Sequence, residues 1–120
     1  MSSDGTIYLV RQKLDQKESE KYQSNKAYSL YHQSKPLEKI INMEHDGKLV
    51  YAFHISNYKL AWKTINKILN LKYKSIKNNR IIGEKKTIIL DIRRVEKFFE
   101  KDKTIYENYR ISHIVSSCED

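Results

Sequence analysis

Residues 48–74 read KLVYAFHISNYKLAWKTINKILNLKYK, and their hydrophobic period changes halfway along. Up to Ile55 the period is two: Leu49, Tyr51, Phe53 and Ile55 alternate, the pattern of a strand with one face buried. Val50 and Ala52 fill the gaps, so the segment is apolar on both faces and is expected to be a central strand. After Ser56 and Asn57, either of which suits a helix N-cap, the period becomes helical. Tyr58, Ala61, Ile65, Ile68 and Leu69 fall on one stripe. Lys59, Lys63, Lys67 and Lys74 fall mostly on the other side, and Trp62 flanks the stripe as a core aromatic. A strand feeding a long amphipathic helix, with alternating elements around it, predicts a small α+β domain.

Working upstream, GTIYLVRQ (5–12) has the β-favouring composition of a strand, and KAYSLYH (26–32) reads as a second. Residues 13–25 between them are polar and without sustained period, an exposed loop or a short frayed helix. Ser34 precedes KPLEKIINME. Serine suits the cap there and proline the first helical turn, and Leu37, Ile40, Ile41 and Glu44 space as a short amphipathic helix. Asp46-Gly47 is a turn signal. Downstream, 75–83 reads as a basic loop and KKTIIL (85–90) as a short fourth strand. Asp91 then caps a helix whose stripe is Ile92, Val95, Phe98 and Phe99. Residues 104–120 read as a tail, within which YRISHIV is a candidate edge strand. The expectation is one domain over 1–120 with its core in about 5–103. It has a short mixed or antiparallel sheet of three to four strands with helices packed on it.

Composition narrows the function classes. At 120 residues the chain has room for one domain. No apolar run approaches the roughly 18 residues of a membrane span, and the polar start MSSDG is unlike a signal peptide. Cys118 is the single cysteine, which excludes an internal disulfide and a cysteine-based zinc site within one chain and fits a reducing compartment. His32, His45, His54 and His113 lack ligand spacing, so no metal site is expected, and His113 with Cys118 reads as tail rather than as a nucleophile pair. The net charge of +8 is concentrated: residues 59–103 carry fourteen Lys and Arg against five Asp and Glu. Such a segment attracts polyanions, nucleic acid above all. The competing reading is a lysine-rich surface kept soluble by its charge. Candidate phosphate contacts are Lys59, Lys63, Lys67, Lys74, Lys77, Arg80, Lys85 and Lys86.

The order of elements, with GTIYLV, AYSLYHQSKPLEKI and YAFHISNYKLAWKTINKILNLKYKS…RIIGE, resembles the GIY-YIG-type domain, particularly the version widespread in large DNA viruses and phages. The resemblance covers about residues 5–99. It places Tyr8 at the tyrosine of the first motif and Tyr28 and Leu30 at the tyrosine and isoleucine of the second. In that family a tyrosine acts as or near the general base. An arginine on the first helix stabilises the phosphoryl transition state, and a glutamate holds a divalent metal. Here Tyr31 stands at the glycine of the second motif. No arginine occurs in 12–79, leaving Lys35 or Lys39, which lack the bidentate fork. Glu84 is the candidate metal carboxylate, with Lys85 beside it.

Those departures predict a catalytically degenerate domain that binds nucleic acid weakly and without sequence preference, takes no cofactor, and works in the cytoplasm or nucleus of a host cell or in a virion. Two other classes stay open. One is a small structural or interaction protein of a virus particle or viral complex, with a protein partner, for which the tyrosine-rich composition suits an interface. The other is an active endonuclease, which alone would need Mg²⁺.

Overall fold

A computed structural model of the chain describes residues 4–43, 46–76 and 80–99. The elements are β1 (Gly5–Lys13), α1 (Gln16–Tyr22), β2 (Lys26–His32), α2 (Leu37–Met43), β3 (Lys48–Ile55), α3 (Tyr58–Lys72), β4 (Lys74–Ile76), β5 (Arg80–Ile82) and α4 (Lys85–Phe99). The strands form one antiparallel sheet in the order β3-β1-β2-β5-β4. The α+β class and the single domain expected from the sequence hold, with five strands in place of three to four. The suggested YRISHIV edge strand and the rest of the tail lie outside the described residues.

Register explains which side chains meet. Leu9 lies opposite Leu30 on β2 and Tyr51 on β3, Ile7 lies opposite Phe53, and Tyr28 lies opposite Ile81 on β5. These residues share one face of the sheet. With Ile55 and the buried stripe of α3 (Tyr58, Ala61, Ile65, Leu69) and of α4 (Ile88, Ile89, Ile92) they make the main core. On the other face Leu14, Ala27 and Ile76 gather with Tyr22 and Ile82. The Trp62 indole N–H donates to the Leu30 carbonyl at 2.9 Å, and Trp62 and Tyr58 both meet the His32 ring edge-on. Trp62 is thus a core-flanking aromatic, as its position on the helix implies.

β2 and β3 have the bounds read from the sequence, and the polar 13–25 segment contains a short helix. Asp15 caps it, its Oδ1 accepting from the Glu18 N–H at 2.8 Å. Several expectations are corrected. β3 is an edge strand among the described residues rather than a central one. Its density of apolar residues comes from coverage by helices, and from a register shift opposite Leu9 and Val10 that leaves Val50 unpaired and buried. The basic 75–83 segment holds the β4–β5 hairpin rather than a loop. KKTIIL is the first half of α4, not a strand, and Asp91 is buried within that helix instead of capping it. Ile68 is 37 % exposed and Phe98 74 % exposed, so neither belongs to a buried stripe. Ser34 does not cap α2. Its hydroxyl meets His32 Nδ1 at 2.8 Å, and Pro36, just before the helix, accepts the Ile40 N–H through its carbonyl. Asn57 is the α3 cap by position, in the left-handed region at φ 52° and without a side-chain cap bond.

Asp91 has partners that a local reading of the sequence does not supply. Tyr73, just past α3, donates its hydroxyl to Asp91 Oδ2, and Lys72 Nζ lies 2.9 Å from Oδ1. Burial acts to raise the Asp91 carboxyl. The Tyr73 and Lys72 hydrogen bonds and the charges of Lys72 and Arg94 outweigh it and hold the group below its usual value. Burial first, then Asp91, pushes the Tyr73 hydroxyl up. A carboxyl depressed on folding contributes stability that is complete above its unfolded pKa, about 4, and is lost as pH falls through the folded value. Urea midpoints measured against pH are therefore expected to drop below about pH 4, and to drop less steeply in Asp91→Asn. An identical acid limb in the two proteins would remove this pair from the account.

Candidate functional site

The hairpin register brings together side chains that lie far apart in the chain. Arg11 on β1 lies opposite Tyr28 on β2, and Lys13 lies opposite Lys26. Arg11, Lys26 and Tyr28 therefore share the face on which α3 and α4 pack. The chain leaves β5 through Gly83, whose missing side chain lets the Tyr73 ring lie against it. A Cβ there would come within 2.6 Å of that ring. Glu84 follows, its carbonyl accepting the first helical N–H of α4 from Ile88 at 3.0 Å. The start of α4 thereby faces the α1 end of the hairpin across an open cleft of about 370 Å³. Its lining includes Arg11, Lys26, Tyr28, Glu84, Lys85 and Lys86. A second cleft of about 260 Å³ adjoins it and shares Arg11, Asn25 and Lys26, adding Gln12, Lys13 and Asp46.

The charges in the first cleft are largely uncompensated. Arg11, half-buried, and Lys26 and Lys86, exposed, make no side-chain hydrogen bond or ion pair, and the Glu84 carboxylate pairs with none of them. α4 has no acidic residue in its first turn, so two lysines sit at the positive end of a helix dipole, where an anion is the favourable occupant. Burial pushes the Tyr28 hydroxyl up, against the opposing pull of Arg11. At neutral pH it stays protonated, so it is no base but can donate a hydrogen bond to an anion.

The residues matched to the family motifs do not converge. Tyr8 and Tyr31 are opposite one another across the hairpin and face the second side of the sheet. Tyr28, three residues from Tyr31, faces the first side and shares the cleft with Glu84. Lys39 is exposed on α2. No group of three His, Cys, Asp or Glu suited to a metal ion occurs among the described residues.

The candidate phosphate contacts divide into sets. Lys59, Lys63 and Lys67 are exposed at four-residue spacing on the outer side of α3, without ion pairs. Lys85 and Lys86 belong to the cleft. Lys74 lies 5.7 Å over the Tyr22 ring. Arg80 forms a bidentate pair with Glu18, at 3.2 and 2.6 Å. Lys77 lies outside the described residues. Arg11, Lys26 and Gln12 went unread in the sequence, where Arg11 is one cation at a strand end. Pairing the two strands through Leu9 and Leu30 would have placed it beside Tyr28.

No family model, curated protein or solved structure matches the chain. Among the described residues no helix is long and apolar enough to cross a membrane.

Proposed function

We propose that the chain is a nucleic-acid-binding domain that reads the phosphate backbone rather than base sequence, derived from a GIY-YIG-type nuclease and without its activity. It acts in the cytoplasm or nucleus of a host cell or in a virion. The observation that supports this reading is the set of uncompensated cations: the Lys59, Lys63, Lys67 row on α3 and the Arg11, Lys26, Lys86 group in the cleft. Solvated cations without protein partners meet phosphates by releasing counter-ions, at little desolvation cost. The motif tyrosines lie on opposite faces and Lys39 replaces the helix arginine, which supports binding without cleavage.

With about four to five cations on phosphates, log affinity for duplex DNA falls with log salt at a slope of about −4. Replacing Lys59, Lys63 and Lys67 together by glutamine lowers that slope in magnitude by about 2 to 3. Fluorescence anisotropy at several salt concentrations measures both, and supercoiled plasmid incubated with Mg²⁺ in parallel stays intact. An unchanged slope in the triple variant moves the binding surface elsewhere. Nicking that disappears in Glu84→Ala restores the endonuclease reading.

A second reading, an interaction protein, has its own support. Leu60 and Leu71 on α3 and Leu90 and Phe98 on α4 are exposed, Leu71 at 79 %. Exposed apolar groups on neighbouring helices suit a protein contact. Absence of DNA binding at low salt would favour that account.

A further inference from the structure

We propose that the cleft at the start of α4 takes a phosphate monoester, the phosphorylated end of a nucleic-acid strand, with the attached nucleoside in the adjoining cleft. The nature of the molecule carrying the phosphate rests on the nucleic-acid reading above.

Four cations, Arg11, Lys26, Lys85 and Lys86, line the first cleft against one carboxylate, Glu84. Three of them lack any protein counter-charge, and a half-buried guanidinium without a partner is unfavourable until an anion supplies one. The first turn of α4 adds backbone donors and a dipole of the same sign. Asn25 and the protonated Tyr28 hydroxyl add neutral donors. A monoester carries up to two charges and an internal diester one, so this excess suits the strand end better than the backbone.

The adjoining cleft offers room for the attached nucleoside. The first cleft continues through the wall of Arg11, Asn25 and Lys26 into the second. Lys13 and Asp46 add polar groups to that second cleft, suited to the attached sugar or base.

The test compares short single strands of one sequence ending in a 5′-phosphate, a 3′-phosphate or only hydroxyls, labelled at the opposite end and titrated at low salt. One phosphorylated form is expected to bind about tenfold tighter than the hydroxyl form. Arg11→Gln combined with Lys26→Gln removes that preference: the three strands then bind with one affinity, lowered by the two lost cations but still salt-dependent through Lys59, Lys63 and Lys67. Lys86→Gln, exposed and without structural partners, weakens the preference on its own, which guards against misfolding of the double variant. Equal affinity for all three strands, with salt-dependent binding intact, overturns the end-binding site and leaves the backbone reading standing. No binding of any strand overturns both. A nucleoside monophosphate that binds through Arg11 as tightly as the phosphorylated strand overturns the strand-end identity in favour of a free nucleotide.

Discussion

Ile65→Ala costs about 3 kcal/mol of folding free energy, while Ile68→Ala, one turn further along the same helix, costs less than about 1 kcal/mol. Ile65 is 0 % exposed, on the buried stripe of α3 with Ala61 and Leu69, against the face that Leu9, Leu30 and Phe53 fill. Truncation there removes buried methyl and methylene groups and leaves a cavity that the β1–β2–β3 sheet, held by its ladder, closes only in part. Ile68 is turned away from the buried stripe and is 37 % exposed, so its truncation removes partly solvated surface and opens no closed cavity. Urea unfolding should show the midpoint of Ile65→Ala falling with unchanged m-value, and its thermal midpoint falling by on the order of 10 °C. Equal losses for the two variants would mean that α3 is rotated about its axis relative to the sheet. The cation row would then be misplaced too, because Lys63 and Lys67 stay exposed only while Ala61, Ile65 and Leu69 face inward.

The contrast between Ile65 and Ile68 marks the limit of what periodicity alone can read. Both fall within the apolar arc of a helical wheel, and the sequence expectation counted both as core. The sheet is narrower than the arc, so the edge of the stripe is decided by tertiary contact. The same limit explains α4. Ile88, Ile89, Ile92 and Glu96 have helical spacing when read through Asp91, but an apolar run as short as TIIL is ambiguous between strand and helix. An aspartate in the middle looks like a cap until its buried partners, Tyr73 and Lys72, are known. β4 and β5, three residues each, carry too little pattern to be read and are ordered by pairing with β2. By contrast β1, β2, β3 and α3 were legible because each has several residues of one period and a turn or capping residue nearby.

The candidate site was less legible for a different reason. Lys85, Lys86, Tyr28 and Glu84 could be named from charge and motif, but what makes a cleft of them is Arg11 and Lys26. Those two meet only through hairpin register. Composition located the charge excess correctly in 59–103, yet Arg80 within that segment is spent on Glu18, while Arg11 outside it has no partner. Charge density along a chain does not distinguish a paired cation from a free one.

Gly5→Ala is expected to destabilise the fold by about 3 kcal/mol, although adding a methyl group to a strand glycine is ordinarily favourable by about 0.5–1 kcal/mol. The sign is reversed by Tyr58. A Cβ on Gly5 would stand 2.4 Å from Tyr58 Cδ1, 2.6 Å from Cγ and 2.8 Å from Cε1. Cγ is one bond from the Tyr58 Cβ, so the ring cannot swing clear as the end of a long side chain would. Either β1 leaves its register opposite Ile55 or the first turn of α3 lifts from the sheet. The His32 edge contact and the Trp62 hydrogen bond to Leu30 lie alongside that turn and resist the lift. A double-mutant cycle isolates the clash. In a Tyr58→Ala background the same Gly5→Ala change becomes neutral or stabilising by up to about 1 kcal/mol, giving a coupling energy of several kcal/mol. A Gly5→Ala cost that is the same with and without Tyr58 would assign the glycine to backbone conformation instead of close approach. The glycine of GTIYLV then has a physical role independent of any catalytic motif. It seats Tyr58 against β1, and Tyr58 fixes where α3 begins and so which way Lys59, Lys63 and Lys67 point.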